Sequence, residues 1–455
     1  MGVKLPRVLI VADHASLSLG GEAALPLHYF RVLRKRQIET WLVVHERTRS
    51  ELQLLMPEEL DRIHFVLDTP LHKFLWKIYT LFPRRLSYIT LGFGLRLITQ
   101  FIQRRIIKEL VQQQQITVIH QPLPVSPKEP SLIFGLGAPV VMGPMNGGMQ
   151  YPSAFQHLES RVVRSVFRLG RFSADLFNRV IPGKLWADLI LVANARTRQA
   201  LPHGVQGKVI ELVENGVDLS VWCGQNSPRS HVPSRNSSRS LHRVHEHPGG
   251  TSLSRPTQFV FMGRLLNWKA VDLLITAFQS VLSQVPSELT IIGDGPDRSG
   301  LEHQAQRLGL GQQIHFQGWL SQSDCARQLN QADALVLPSL LECGGAVVLE
   351  AMAVGLPVIA TDWGGPADYL DASCGILIQP DSSESFVQQL VNAMVKLAES
   401  PALRHKMGEA GYQKVIQQFD WEVKGDRILE IYQMATRASQ AARLKEGDRK
   451  ILLEH

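Results

Sequence analysis

Two glutamates, Glu342 and Glu350, stand eight positions apart in the run Ser339–Ala360, SLLECGGAVVLEAMAVGLPVIA, one before a glycine pair and one inside an apolar stretch. If Gly344 and Gly345 open a helix running to about Val354, Glu342 sits on the preceding loop and Glu350 on the second turn. At about 1.5 Å per residue the offset is about 12 Å. Paired carboxylates for glycoside hydrolysis want about 5 to 9.5 Å, so the spacing argues against a hydrolytic dyad. It suits an elongated ligand gripped at two points, with the N–H groups of Gly344, Gly345, Ala346 and Val347 between them available to a diphosphate at the positive end of the helix. The alternative is structural: Glu342 caps the helix and Glu350 pairs on its surface. Cys343 at the same helix start invites a thiolate reading, which the neighbouring Glu342 opposes.

A second group follows the apolar run Gln258–Met262. In GRLLNWKAVDLLITAF, Arg264 and Lys269 lie beyond what reads as the carboxyl end of a strand, where open α/β sheets bind ligands. A guanidinium fork and a compact ammonium there can neutralise a departing diphosphate; charges at such a place are also common as plain solvated surface.

These residues need elements to hold them. The chain alternates short β-branched runs with helical patterns, the signature of parallel sheets covered on both faces. Strands are predicted at Val8–Ala12, Thr40–Val44, Val118–His120, Val140–Met142 and Leu189–Ala193, and again at Gln258–Met262, Leu289–Ile292, Ile314–Gln317, Ala334–Leu337 and Val358–Thr361. With 455 residues, 44% of them hydrophobic and 20% charged, the chain is too long for one core and reads as two lobes with a cleft. Between them, a stretch rich in Ser, Arg, His and Pro cannot bury enough apolar surface to order itself. The expected division is 1–218, a linker insertion 219–256, 257–425, and a closing helix and tail 426–455. Its histidines His231, His242, His245 and His247 lack ligand spacing.

A formal charge of +7 favours anionic partners without choosing among them. Four cysteines without CxxC spacing predict free thiols and a reducing compartment. The first apolar run is too short for a signal sequence and no run reaches bilayer length, so a cytoplasmic location, peripheral to the membrane where it touches one, is expected.

In order, Gly-Arg-x4-Lys, IIGDGP (Ile291–Pro296), LVLPSLLE and Glu-x7-Glu followed by AMAVGLPVIATDWGG strongly resemble the GT4 family of retaining glycosyltransferases with the GT-B fold, two Rossmann-like doubly wound domains facing a central cleft. VENGVDLSVW (Val213–Trp222) looks like that family's hinge-side motif. The likeness is specific from about Gln258 to Tyr432 and looser before it, at GGEA (Gly20–Ala23) and VIHQP (Val118–Pro122). The resemblance implies that Arg264 and Lys269 bind the donor pyrophosphate, Glu350 the ribose hydroxyls and Glu342 the transferred sugar or adjoining phosphate. It further implies that Gly20 and Gly21 close over the donor, and that His120 lies near the reacting sugar, although on its own His120 reads as a packed strand-end histidine. Transfer with retention, a nucleotide-sugar donor and no metal or other cofactor are likewise implied. Ala270 stands where a glycine usually follows the lysine, and Cys343-Gly344-Gly345-Ala346 replaces the commoner Gly-Phe-Gly-Leu.

GPMNGGMQYP (Gly143–Pro152) offers Asn146 and Gly147 as acceptor-side candidates, or a plain turn. Leu71–Leu110, echoed by Ser160–Phe172, is basic and aromatic. It reads as a surface for anionic membranes and a lipid-linked acceptor, or as helices whose apolar faces pack on the first sheet. The leading expectation is a hexosyl transferase of polysaccharide or glycolipid synthesis, acting on a carbohydrate or lipid-linked acceptor. A nucleotide-sugar epimerase on the same fold and a non-enzymatic basic binding protein are the alternatives; no nucleic-acid motif is present.

Overall fold

The computed structural model describes residues 5–79, 81, 91–159, 173–222 and 255–453, without the side chains of 442–453. Most of the 219–256 insertion, all of Ser160–Phe172 and part of Leu71–Leu110 fall outside them.

By contacts the chain divides into two units. Unit 1 takes the described residues of Met1–Gly148, Arg161–Asn215 and Trp421–His455, and unit 2 those of Met149–Ser160 and Gly216–Asp420. This division differs from the sequence boundaries at three places: 149–160 and 216–218 join the second unit, and the final helix, Trp421–Leu453, joins the first.

Unit 1 is built on seven strands: β1 (Val8–Val11), β2 (Thr40–His45), β3 (Ile63–Val66), β4 (Val118–Gln121), β5 (Val140–Met145), β6 (Leu189–Val192) and β7 (Lys208–Glu211). They pair in parallel in the order β3-β2-β1-β4-β5-β6-β7. Unit 2 has β8 (Thr257–Met262), β9 (Ser287–Ile292), β10 (Ile314–Gly318), β11 (Ala334–Leu337), β12 (Val358–Thr361) and β13 (Gly375–Ile378), in the parallel order β10-β9-β8-β11-β12-β13. Both sheets are doubly wound, and each has its topological switch point where the winding reverses, at β1/β4 and at β8/β11.

The central strands are buried along their whole length because helices cover both faces; β1, β2, β4, β5, β6, β11 and β12 have no exposed residue. One core of unit 1 joins Val8, Ile10, Leu27, Tyr29 and Phe30 to Trp421, Ile428, Ile431 and Tyr432 of the final helix. In unit 2, Phe259, Phe261, Phe278, Leu335, Leu349 and Ile359 are almost completely buried.

Candidate functional site

The unit 2 switch point gathers the charged residues. β8 ends at Met262 and β11 at Leu337, and the loops leaving these neighbouring strands carry Arg264 with Lys269 and Glu342 respectively. The ammonium of Lys269 donates to Oε2 of Glu342, both side chains being mostly buried. Arg264 is exposed. Glycines bring the loops this close. Gly293 and Gly295 lie against the β8 loop, where an added Cβ would stand 1.9 Å from the Gly263 carbonyl oxygen and 2.2 Å from that of Leu265. The backbone amide of Leu265 donates to the Asp294 carbonyl at 3.0 Å.

Glu342 is held by backbone as well. Its carbonyl accepts from the amide of Gly365 at 2.9 Å. A Cβ on Gly364 would meet that same oxygen at 2.3 Å, and one on Gly365 would meet the oxygens of Gly344 and Cys343 at 2.2 and 2.3 Å. The Trp363-Gly364-Gly365 turn is therefore part of the site, a role its composition alone did not disclose. Trp363 in turn donates its indole N–H to the carbonyl of Gln150 at 2.8 Å.

The helix between the glutamates is Ala346–Ala353, with Gly345 as its N-cap in the left-handed region at φ 75°. No side chain caps it, so the capping role considered for Glu342 does not occur; its carboxylate goes to Lys269 instead. The first amides of the helix stay available to an anion. Glu350, one turn on, has no hydrogen-bond or ion-pair partner among the described residues, and burial pushes its carboxyl up to about 7. Surface pairing of Glu350 is thereby corrected: it is a carboxylate short of partners. Cys325, on the helix Gln322–Gln331, is pushed up to about 11 by burial, with the Glu350 charge adding to the effect. Cys325, Cys343 and Cys374 are free thiols.

Ala270 adopts φ 50°, which explains why glycine would be the easier residue there. Beside it lies a cavity of about 540 Å³ whose lining includes Asn267, Asp272, Asp297 and Phe155. Burial raises the pKa of Asp272, and the charge of Asp297 raises it further; such a lining repels a diphosphate.

The unit 1 candidates are distributed differently. Gly20, at φ 109°, caps the helix Gly21–Lys35 without a side-chain bond, and both glycines are exposed with open space around them. The loop before them is gathered by Glu51, which accepts from the Ser16 hydroxyl at 2.5 Å, the Leu17 amide at 2.7 Å and the Ser18 hydroxyl at 3.0 Å. Burial opposes its ionisation, but these bonds hold its pKa below the usual carboxylate value. Nothing in the spacing pointed to Glu51.

His120, by contrast, is fully buried. The Gly143 carbonyl can only accept, so Nε2 donates to it at 2.6 Å, and Nδ1 accepts from the Tyr432 hydroxyl at 2.7 Å. Burial depresses its pKa to about 4, partly offset by the Gly143 bond, so the ring is neutral at pH 7. With both nitrogens committed and no exposed surface, it does not meet a ligand in this structure. Asn146 is also buried, donating to Glu214 at 2.8 Å and accepting from Arg196 at 3.3 Å. Gly147 packs on Pro127, with room for no Cβ, and its amide donates to Thr197.

Among the described residues, one cluster has metal-ligand chemistry: His45, Asp68 and His72, whose donor atoms lie within 4.8 Å of one another. Its nitrogens are already assigned. His45 Nδ1 accepts from the amide and Nε of Arg47, which leaves the proton on Nε2 facing Asp68. His72 Nδ1 accepts from the Thr69 amide, and its Nε2 donates to Thr99. Neither ring offers a free lone pair.

Residues 246–414 match the family described as Glycosyl transferases group 1. The D-inositol 3-phosphate glycosyltransferase of Kribbella flavida is 30% identical over 253 residues, 52% of this chain and 54% of that protein. A GDP-mannose-dependent monoacylated alpha-(1-6)-phosphatidylinositol monomannoside mannosyltransferase of Corynebacterium glutamicum is 32% identical over 182 residues, 38% of this chain and 46% of that protein. The chain thus spans about half the length of the curated relatives it matches. Among solved structures, a glycosyltransferase from Rickettsia africae superposes with a TM-score of 0.62 at 15% identity, over 94% of this chain and 98% of that one. Anabaena Alr3699/HepE in complex with UDP-glucose does so with 0.57 at 17% identity, over 93% and 98%. The two parallel-sheet units are those of the GT-B fold.

Proposed function

Because the chain carries a glycosyl transferases group 1 domain over residues 246–414, we propose that it is a retaining glycosyltransferase. In this reading it moves a hexosyl unit from a nucleoside-diphosphate sugar to a carbohydrate or lipid-linked acceptor, in polysaccharide or glycolipid synthesis in the cytoplasm. The carrying observation is the unit 2 switch point, where Lys269 bonds Glu342 beside an uncapped helix start, Arg264 is exposed on the Lys269 loop, and the unpartnered Glu350 lies one turn further on.

The chemistry follows from these groups. As the anomeric carbon parts from the diphosphate, negative charge grows on the leaving oxygens. Arg264, Lys269 and the amides of Gly344 to Val347 meet that charge, and no metal is assigned to it. Lys269 exchanges its bond to Glu342 for one to phosphate, which frees Glu342 for the transferred sugar. Glu350, costly to ionise while partly buried and unpaired, gains by accepting from the two ribose hydroxyls. Front-face attack, with the departing phosphate oxygen taking the acceptor's proton, gives retention. Gly20 and Gly21 leave room for donor and acceptor to approach the backbone, while Asn146 and Gly147 serve the acceptor side by shaping their loop. His120 acts through the Gly143 carbonyl it holds and does not touch the sugar.

The test is calorimetric titration of UDP, GDP and ADP into the full chain, followed by nucleotide release from the matching sugar donors with and without membrane extract. We expect binding of at least one nucleotide, weakened tenfold or more by Lys269→Ala, and an acceptor-linked product with the donor's anomeric configuration. Failure of every nucleotide to bind would falsify the reading. A donor isomerised without acceptor would make the protein an epimerase.

A further inference from the structure

The cavity of about 540 Å³ beside the turn Asn267–Lys269 is lined by Asn267 and Ala270 but by neither Lys269 nor Arg264. Its volume lies within the range of about 300–1,000 Å³ that small-molecule sites occupy, and every residue lining it belongs to unit 2. The walls are largely apolar, with Phe155, Leu301 and Leu340 buried. Asp272 and Asp297 give them their charge.

Acids at helix starts are ordinary, because they meet the positive end of the helix. Here two helix starts deliver one acid each to the same cavity: Asp272 lies in the first turn of the helix Val271–Leu282, and Asp297 is the N-cap of the helix Arg298–Arg307, where its side chain makes no capping bond. No ion pair or side-chain hydrogen bond joins either carboxylate to another described residue. Asp272 reaches solvent, yet its pKa is raised, by burial first; the amides of Leu273 and Asp272 oppose the shift, and the charge of Asp297 adds to it. Two like charges on a partly dry wall are what an incoming cation relieves.

The cavity and the donor site share backbone. The amide of Lys269 donates to the carbonyl of Leu266 at 2.8 Å, and Leu266 also lines the cavity. Leu340, another wall residue and close before Glu342 in the chain, donates its amide to the carbonyl of Trp268 at 2.8 Å. A molecule seated here therefore bears on the loops of both Lys269 and Glu342.

We infer that this cavity is an effector site for a small organic cation, a protonated amine on an apolar body, and that its occupant braces the Lys269 turn. The amine answers Asp272 and Asp297, and the apolar body answers Phe155, Leu301 and Leu340. A bare metal ion fits less well, since hard cations want a dense shell of oxygens and the remaining walls are largely apolar. The bracing rests on the proposed donor site; the binding does not.

The test is titration of hexylamine, hexanol and hexanoate into the full chain at neutral pH, followed by ligand-observed NMR, with circular dichroism melts as the fold control. Hexylamine is expected to bind about tenfold or more tightly than hexanol, and hexanoate more weakly than either. Asp272→Asn/Asp297→Asn should lower hexylamine affinity about tenfold or more, to the level of hexanol, with melting and basal nucleotide affinity unchanged. Saturating hexylamine should raise the nucleotide affinity of the wild type about threefold or more and leave that of the double variant where it was. Hexanol binding as tightly as hexylamine, undiminished binding by the double variant, or hexylamine and nucleotide excluding one another would each overturn the assignment. Wild-type nucleotide affinity unmoved by saturating hexylamine would overturn the bracing. Loss of all nucleotide binding with hexylamine binding intact counts against the proposed transfer alone, and the converse pattern against the cavity alone.

Discussion

The two units wind their strands in the same order, yet the candidate residues at their switch points are treated differently. At the β8/β11 switch point, Arg264 is exposed, Glu350 is partly buried without a side-chain partner, and the helix start between the glutamates is uncapped. At the β1/β4 switch point, His120 is sealed between Gly143 and Tyr432, and Asn146 is tied to Glu214 and Arg196. Buried polar groups that satisfy one another specify a fold, whereas those left short of partners are held ready for something that arrives. In the proposed function unit 2 therefore carries the binding chemistry, while His120 and Asn146 of unit 1 hold their own loops.

The largest effect should come from the unit 2 pair. Lys269→Ala or Glu342→Ala is expected to cut sugar transfer about a thousandfold with little change in melting temperature, read by nucleotide release. Unchanged turnover in either variant removes that residue from the mechanism.

Next come changes that separate stability from binding. A Cβ at Gly365 would overlap the Gly344 and Cys343 carbonyls, so Gly365→Ala should destabilise by about 1–3 kcal/mol and weaken nucleotide affinity as well. Gly21→Ala meets open space and should leave thermal stability unchanged or slightly raised; any loss of transfer by that variant would then report contact with donor or acceptor. Tyr432→Phe leaves His120 Nδ1 buried without a donor, costing about 1–3 kcal/mol, with nucleotide affinity untouched. A drop in affinity instead would link the His120 network to the donor.

The contrast also has a pH signature. His120 titrates at about 4 in the folded chain, so between about pH 6.5 and 4 the unfolded state takes up the proton first, and this contribution to stability is lost as pH falls through that window. Glu350 works with the opposite sign. Its folded value of about 7 lies above the ordinary value, so the folded chain holds the proton longer and loses stability as pH rises through the same region. Glu350→Gln should gain on the order of 2 kcal/mol at pH 8 and nothing near pH 4.5, compared by denaturant melts at both, while weakening ribonucleotide binding. An equal gain at both pH values would mean that the carboxyl is not dry.

The smallest effect concerns Ala270. Ala270→Gly relieves a left-handed alanine but loosens the unfolded chain and removes a buried methyl, so melting should move by less than about 1 kcal/mol.

All ten strands expected from the sequence occur: Ala334–Leu337 and Val358–Thr361 have the expected ends, and the other eight move by one to three residues. The strands without an expectation are β3, β7 and β13, and each lies at the edge of a sheet. Edge strands are covered less completely: in β7 Lys208 and Glu211 are exposed, so no unbroken apolar run announces it, whereas β13 is a short apolar run of four residues. At the site, residues in sequence with a strand end or helix start, such as Lys269, Glu342 and Glu350, were legible because their spacing carries geometry. His120 and Asn146 were legible as residues but not in their surroundings, since Tyr432 lies 312 positions from His120 and Glu214 lies 68 from Asn146. Gly364 and Gly365 show the same limit: what they avoid is a carbonyl more than twenty positions earlier.

The first unit closes its core only with Trp421, Ile428, Ile431 and Tyr432, whereas the second is complete by Asp420. During synthesis, then, the order of maturation runs against the order of translation. The earlier-made sheet waits, its hydrophobic side incompletely covered, until the last helix has cleared the ribosome, and the nascent chain's need for chaperones should be concentrated in that interval.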